Sequence, residues 1–294
     1  MSLLAILIGL ALDRLVPALD RWRNLGWSKT FAAWVRARLA PYPRLQGNVT
    51  LLAIVLTPVL AIAALQILLT QWLMFLGFLY SVGILVYCLG PKDQSRLVHR
   101  YLDASRDGDT ESAQGALQEL LPHPLPETEQ ARLSALVDTI LVQTHERLLA
   151  ILFWFGVLGP MGAVLYRLSA QLVRNLQHGD YQDDDTFRLA LLRLHNLLAW
   201  IPSHLTVLSY AVMGSFVDAL HAWRACDTAA ETDPHPPSQR LLVRVGLASL
   251  RFQCPQPEGD CKPEAVRETL GLCGRSLIAW VTVLALMTLA GLTS

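Results

Sequence analysis

From Val49 to Gly90 the chain contains no lysine, arginine, aspartate, glutamate or histidine, an absence lasting forty-two residues. A helical membrane crossing needs about 20 apolar residues, so this gap in charge has the length of two crossings joined by a tight hairpin. Charge is scarce throughout: 16% of residues are charged and 53% are hydrophobic, against about 25% charged in a soluble domain. Basic and acidic residues balance at 24 each, which removes the positive excess that a general nucleic-acid binder requires. No nucleic-acid partner is expected. Only five cysteines occur, an odd number at irregular spacing (Cys88, Cys226, Cys254, Cys261, Cys273). That set fits reduced cytoplasmic thiols and no zinc pattern, so no metal is expected. Familiar catalytic signatures are missing as well: there is no Gly-rich loop ending in Lys-Ser/Thr, no G-x-S-x-G and no H-E-x-x-H. Met1 to Leu12 lacks the basic start of a secretory signal and runs into Asp13-Arg14.

What is present reads as helix and membrane. Within the charge-free run, the least apolar point is Thr70-Gln71, where a hairpin turn would meet water. Arg44 precedes the run and Lys92, Arg96 and Arg100 follow it. Both outer ends therefore belong on the cytoplasmic side, because cations near helix ends resist translocation. Met1 to Leu19 reads as a short apolar helix carrying Asp13, Arg14 and Pro17. Arg21 to Arg44 has Trp27, Phe31 and Trp34 at helical spacing among several cations. Such a helix lies on an anionic leaflet or packs on the protein's own core.

Pro91 to Arg147 reads as a helical cytoplasmic subdomain. Asp109 can cap a helix ending at Pro122, Pro122 to Pro126 is a stiff elbow, and a helix restarts at Glu127. Leu133, Leu136, Val137, Ile140 and Leu141 line one face of that helix. Asp107-Gly108-Asp109 has part of a cation-loop pattern but reads as a turn with a helix cap. Two further apolar segments each carry a proline: Leu148 to Tyr166 holds Gly159-Pro160, and Leu194 to Val217 holds Ile201-Pro202. Broken backbone at membrane depth is tolerated only beside protein or a polar cavity. This pair is the expected functional centre, as kinked crossings or re-entrant segments. The polar stretch between them includes Asp183-Asp184-Asp185, and the last crossing is expected over Ser276 to Leu292. The divisions expected are residues 1–90, 91–147 and 148–294.

Ionisable groups at membrane depth face the bundle interior and pair. Here they are Asp13, Arg14, Glu146, Arg167, Arg193, His195 and His204. A structural pairing, such as Asp13 with Arg14 or Arg167, is one reading. A polar pocket for an anionic ligand is the other, with Arg167, Tyr166, Glu146, His204 and Asp13 as candidate ligand-binding residues. Arg167 follows the proline kink, and its planar fork suits bidentate contact with carboxylate or phosphate.

Several stretches together resemble one family. They are Tyr101-Leu102-Asp103-Ala104-Ser105-Arg106-Asp107-Gly108-Asp109, Leu152-Phe153-Trp154-Phe155, Gly159-Pro160, Gly162-Ala163, Tyr166-Arg167, Trp200-Ile201-Pro202, Tyr210, Gly214-Ser215-Phe216, Asp218-Ala219 and Ala222-Trp223. The set resembles the AmpE family of inner-membrane proteins, encoded beside the AmpD amidase in Gram-negative bacteria. That resemblance implies a multi-pass protein of the cell inner membrane, tied to β-lactamase induction and peptidoglycan recycling. AmpD is then a possible partner, and a muropeptide or nucleotide a possible anionic ligand.

AmpE is in turn similar to the CobD/CbiB cobinamide-phosphate synthases, which join an amino-propanol phosphate to a corrin precursor through an amide bond. The shared frame is Gly108-Asp109, Phe153-Trp154, Gly159-Pro160, Gly162-Ala163, Tyr166 and Ile201-Pro202. This chain departs from it where that family shows Asn-Thr-x-Asp-Ser-Met and has Ala170-Gln171-Leu172-Val173-Arg174-Asn175 instead. His195-Asn196 and Ala199 stand where the family has paired aspartates and an Asn, His204 stands for its Arg, and Val142-Gln143 for its Glu-Asn. A site missing those carboxylates and amides lacks metal ligands and general bases for amide formation.

The expectation is an all-α polytopic membrane protein with about four to six membrane helices, some kinked or re-entrant, and a helical cytoplasmic subdomain. Its first functional reading is a sensor or regulator that binds an anionic ligand. The alternative is a membrane enzyme with a degenerate CobD/CbiB-like site acting on a phosphorylated or lipid-linked substrate. The hairpin orientation is open to direct test. On a cysteine-free background, Gln71→Cys is expected to react with an impermeant maleimide outside the inner membrane, while Arg96→Cys reacts only after lysis. The opposite pattern would reverse the assigned orientation.

Overall fold

The computed structural model describes residues 2–15, 25–39, 47–90, 93–121, 126, 128–177, 179–180, 185–226, 236–250 and 263–290. Pro17, Arg21, Arg23, Arg44, Lys92, Pro122 to Pro124, Asp183, Asp184, Cys254 and Cys261 lie outside the described residues, as does the side chain of Arg14. Every regular element among the described residues is helical. Three stretches are long and apolar enough to cross a membrane: Asn48–Trp72, Glu129–Leu158 and Glu264–Thr288. Leu3–Asp13 and Met74–Leu89 are shorter apolar helices. The chain forms two compact units that do not follow chain order, since each gathers separate segments.

The first unit comprises residues 1–91, 146–202 and 283–294. It contains α1 (Ser2–Leu15), α2 (Trp27–Leu39), α3 (Asn48–Trp72), α4 (Met74–Leu89), α8 (Ala150–Leu158), α9 (Pro160–Gln177) and the first part of α10 (Asp185–Met213). The α3–α4 break falls at Leu73, whose φ of −152° and ψ of 110° are extended, and not at Thr70-Gln71. Thr70 is helical, and its hydroxyl donates back to the Gln66 carbonyl at 2.8 Å. Its polarity is thereby satisfied inside the helix, so it does not require a turn. The two arms pack closely: a Cβ on Gly77 would collide with Thr70.

The first proline-bearing segment is broken in two. Gly159 has φ 67° and ψ −153°, a region open in practice only to glycine, and Pro160 opens α9 with its fixed φ. The two helices then pack tightly enough that a Cβ on Gly162 would strike the Trp154 backbone carbonyl. Leu148 to Tyr166 is therefore a helix–turn–helix and not one kinked rod. Pro202, in contrast, lies inside the continuous α10, which is not among the stretches apolar enough to span. His195, Asn196, Ser203, His204 and Thr206 dilute its apolarity. The core of this unit joins Ala32 and Val35 of α2, Leu51, Ile54 and Val55 of α3, Leu168 and Leu172 of α9, and Phe187 and Leu191 of α10.

The second unit comprises residues 92–145 and 203–282. It holds α5 (Asp93–Asp107), α6 (Thr110–Leu120), α7 (Glu129–Thr144), the later part of α10, α11 (Phe216–Cys226), α12 (Pro237–Ser249) and most of α13 (Pro263–Leu289). Gly108 turns with φ 74°, and the Asp109 carboxylate accepts from the Ser112 amide at 3.1 Å. Those hydrogen bonds from Ser112 hold the Asp109 carboxyl below the usual carboxylate range. The motif is a turn with a helix cap. Thr128 caps α7 in the same way, through the Ala131 amide. Leu133, Leu136, Val137, Ile140 and Leu141 are all buried, and they share one core with Val98 and Tyr101 of α5, Val207 and Tyr210 of α10, Leu242 and Val245 of α12, and Leu272 of α13. The expected last crossing at Ser276 is the later part of α13, which begins at Pro263.

Membrane character follows from what stays uncovered. Only 22% of the apolar window of Asn48–Trp72, and of Glu264–Thr288, is buried by protein. Leu56, Leu60, Ile67, Leu68, Ile278, Val283 and Leu286 all point outward, an apolar surface that a soluble protein would not present to water. Leu136, fully buried in the second unit, offers a test of its core. Leu136→Ala is expected to destabilise the protein by about 2–5 kcal/mol, read as a lower thermal midpoint in detergent.

Candidate functional site

A short π-helical turn, His145–Leu149, joins α7 to α8. The extra residue in such a turn re-aims the side chains that follow it, and π-turns recur at functional sites. Here it presents Glu146 and Arg147 within the first unit. The Arg147 Nε donates to the Leu89 carbonyl at 2.9 Å, and its Nη2 lies 3.4 Å from the Gly90 carbonyl. These are the last carbonyls of α4, at the negative end of its dipole. The same Nη2 lies 3.8 Å from the Asp13 carboxylate of α1. Asp13 thus meets Arg147, a pairing the sequence reading did not name, because the end of α4 draws Arg147 to where α1 packs.

Two further arginines stand on α9. Arg167 and Arg174 are seven residues apart, two turns along one face. Arg174 Nη1 is 3.9 Å from Glu146 Oε2, an ion pair with both partners only partly exposed. Arg167 is 6% exposed and lies in the electrostatic reach of Arg174, Arg147, Glu146 and the Cys88 thiol. Its guanidinium fits because residue 90 is glycine: a Cβ there would collide with Nη2. Gly90 has φ 72° and ψ 175°, again a glycine-only conformation. One residue therefore makes both the sharp exit from α4 and the space for Arg167.

Tyr166 and His195 complete the cluster. Tyr166 is fully buried, with its ring centroid 5.7 Å from that of His195. Ser169 Oγ donates to the Tyr166 carbonyl at 2.8 Å and lies 3.3 Å from His195 Nδ1. Gln171 donates to Asn175 Oδ1 at 3.1 Å. Among the described residues, Arg167 Nε, Arg174 Nη2, the Tyr166 hydroxyl and Asn175 Nδ2 are buried without a hydrogen-bond partner. Buried polar groups are nearly always paired. All four of these can donate, and two belong to cations. Donors of this kind pair best with oxygen-rich, negatively charged groups.

Four of the five expected site residues, Asp13, Glu146, Tyr166 and Arg167, lie in the first unit and bear on this cluster. His204 belongs to the second unit, where its ring is 5.7 Å from that of Trp223. Sequence reasoning overlooked Arg147, Arg174 and Asn175 as site residues. The seven-residue step from Arg167 to Arg174 would have flagged the second of these. Nothing local marks Arg147, whose role depends on where α4 ends. No group of three His, Cys, Asp or Glu side chains positioned to hold a metal occurs among the described residues.

The chain matches the family described as CobD/Cbib protein over residues 6–242, a range containing every residue of the cluster. It is 27% identical over 307 residues to the Cobalamin biosynthesis protein CobD of Chromobacterium violaceum, covering 96% of this chain and 95% of that one. The Cobalamin biosynthesis protein CobD of Stutzerimonas stutzeri is 28% identical over 188 residues, 55% of each chain. Protein AmpE of Shigella flexneri is 27% identical over 216 residues, covering 71% of this chain and 72% of that one. No solved structure matches.

The geometry at Gly90 has a measurable consequence. Gly90→Ala meets both a forbidden backbone region and the Arg167 guanidinium, and is expected to cost about 1–3 kcal/mol or more. Gly83→Ala, where a Cβ meets open space, is the control and is expected to leave the thermal midpoint near that of the parent chain.

Proposed function

Because the chain belongs to the CobD/Cbib protein family, we propose that it is an inner-membrane protein that holds an anionic, phosphate- or carboxylate-bearing ligand on the Arg167–Arg174 face of α9. The observation that carries this reading is the set of four buried donors without acceptors: Arg167 Nε, Arg174 Nη2, the Tyr166 hydroxyl and Asn175 Nδ2. An anion with several oxygens satisfies such a set, and Arg167 and Arg174 neutralise it. Arg147 positions, since its guanidinium is committed to the end of α4 and to Asp13. Glu146 orients Arg174, and it competes with the ligand for that cation.

The role that fits best is regulatory. Where the resemblance calls for the carboxylates and amides of an amide-forming site, this chain has Ala170, Gln171, Leu172, Val173, Arg174 and Asn175. The Asn and Asp of that pattern fall at Ala170 and Val173, while Arg174 and Asn175, at its Ser and Met positions, are among the open donors. Such a protein would sense an anionic product of peptidoglycan recycling, a muropeptide or a nucleotide, in the β-lactamase response that the AmpE likeness suggests, with AmpD as a candidate partner. A second reading has its own support. The CobD relative of Chromobacterium violaceum aligns over nearly the whole of both chains, which favours a biosynthetic enzyme with an altered site acting on a phosphorylated substrate.

Binding and role are separable by experiment. Inorganic pyrophosphate, titrated against the purified full chain in nanodiscs, is expected to raise the thermal midpoint. Arg167→Gln and Arg174→Gln are each expected to weaken that affinity by about 10- to 100-fold, the range of a lost hydrogen bond to a charged group. Equal affinity in all three proteins would remove the proposed site. Expression in a cell lacking its own CobD is expected to leave cobalamin synthesis unrestored; restoration would establish the biosynthetic reading.

A further inference from the structure

A second surface of the first unit is built for a different partner. Helix α2 buries Ser28, Ala32 and Val35, and beside that face runs an aromatic stripe whose middle ring, Phe31, is half-buried against the unit's core. Trp27, Phe31 and Trp34 follow at steps of four and three residues, which keeps them on one face. Ring centroids are 6.1 Å apart for Trp27–Phe31 and 6.3 Å for Phe31–Trp34, the latter stacked at 22°. Trp34 is 64% exposed and Trp27 42%. The helix carries Lys29, Arg36 and Arg38 and no acidic residue.

The depth of this helix follows from its contacts. The Trp27 indole donates to the Tyr87 hydroxyl at 2.8 Å, and Tyr87 is in the last turn of α4. Ala32 and Val35 pack with Leu51, Ile54 and Val55, in the first turns of α3. The beginning of α3 and the end of α4 form the open mouth of the hairpin, opposite the turn at Leu73. Helix α2 therefore lies beside the mouth, at the level where an apolar hairpin leaves the hydrocarbon. Amphipathic rings and cations collect at that level.

We propose that α2 docks on anionic phospholipid headgroups at the mouth of the α3–α4 hairpin, with Trp27, Phe31 and Trp34 inserted at the interface and Arg38 paired to headgroup phosphate. Charge complementarity selects this occupant. Lys29 is held by Asp180 at 2.9 Å, and the Arg36 guanidinium lies over the Phe187 ring at 5.3 Å. Those contacts fix the helix on its unit and leave exposed Arg38 at the end of the aromatic stripe, facing outward. A helix with rings on one flank and cations at its end matches the physics of interfacial docking.

The test uses the full chain in nanodiscs of phosphatidylcholine alone or mixed with phosphatidylglycerol. The Trp34 emission is read as the difference between the parent chain and Trp34→Phe. Lipids brominated near the headgroup are expected to quench it several-fold more strongly than lipids brominated at the chain end. Phosphatidylglycerol is expected to strengthen the shallow quenching, and Arg38→Gln to abolish that gain. Soluble glycerol phosphate is expected to change nothing, which separates a membrane surface from a free anion. Water-like Trp34 emission without quenching would overturn the proposal. So would efficient disulfide dimer formation by Trp34→Cys together with absent quenching, since that outcome makes a second copy the occupant.

Discussion

The first unit is organised by the need to place three guanidinium groups among helices that pack mainly through hydrocarbon. Removing a charge from water costs several kcal/mol unless geometry supplies partners. Each arginine is treated differently. Arg147 takes the carbonyls that end α4 and the Asp13 carboxylate. Arg174 takes Glu146 from the π-turn. Arg167 occupies the room left by the missing side chain of Gly90, and its Nε is left without a protein partner. Several backbone peculiarities serve this arrangement: the π-turn at His145–Leu149, the Gly90 exit from α4 and the Gly159-Pro160 reversal that folds α9 against α8.

This uneven treatment bears on function. Each open donor in a buried place carries a penalty. Two arginines, a tyrosine and an asparagine keep open donors in buried places of the first unit. Membership in the CobD/Cbib family sets the membrane context. The residues that depart from the family resemblance, Ala170 to Asn175, and two of the open donors, on Arg174 and Asn175, share one stretch of α9.

Much of the helical architecture was legible in one dimension. The charge-free run disclosed the α3–α4 hairpin, and the apolar step of Leu133, Leu136, Val137, Ile140 and Leu141 disclosed the buried face of α7. Asp109 was recognisable as a cap by residue type and position. The hairpin turn was misplaced because polarity was read as a demand for water, whereas Thr70 satisfies its hydroxyl against its own helix. For Leu148 to Tyr166 the sequence left kinked crossing and re-entrant segment open, because hydropathy does not register a reversal such as the one at Gly159. Arg167 and Tyr166 stood out through their place after Pro160. Arg147 did not, because its partners come from α1 and α4, distant in the chain.

Composition and periodicity by themselves determined that this chain is helical and membrane-bound, because apolar length and helical spacing are local properties that burial against lipid or protein rewards directly. They also marked the ionisable residues whose isolation would demand partners. Which charge meets which was decided only by tertiary structure. Pairing depends on where helices end and how close glycines let them approach, and these are set by contacts between segments far apart in the chain. The same reason separates His204, which belongs to the second unit, from the arginine cluster, although both stand out equally on the page of letters.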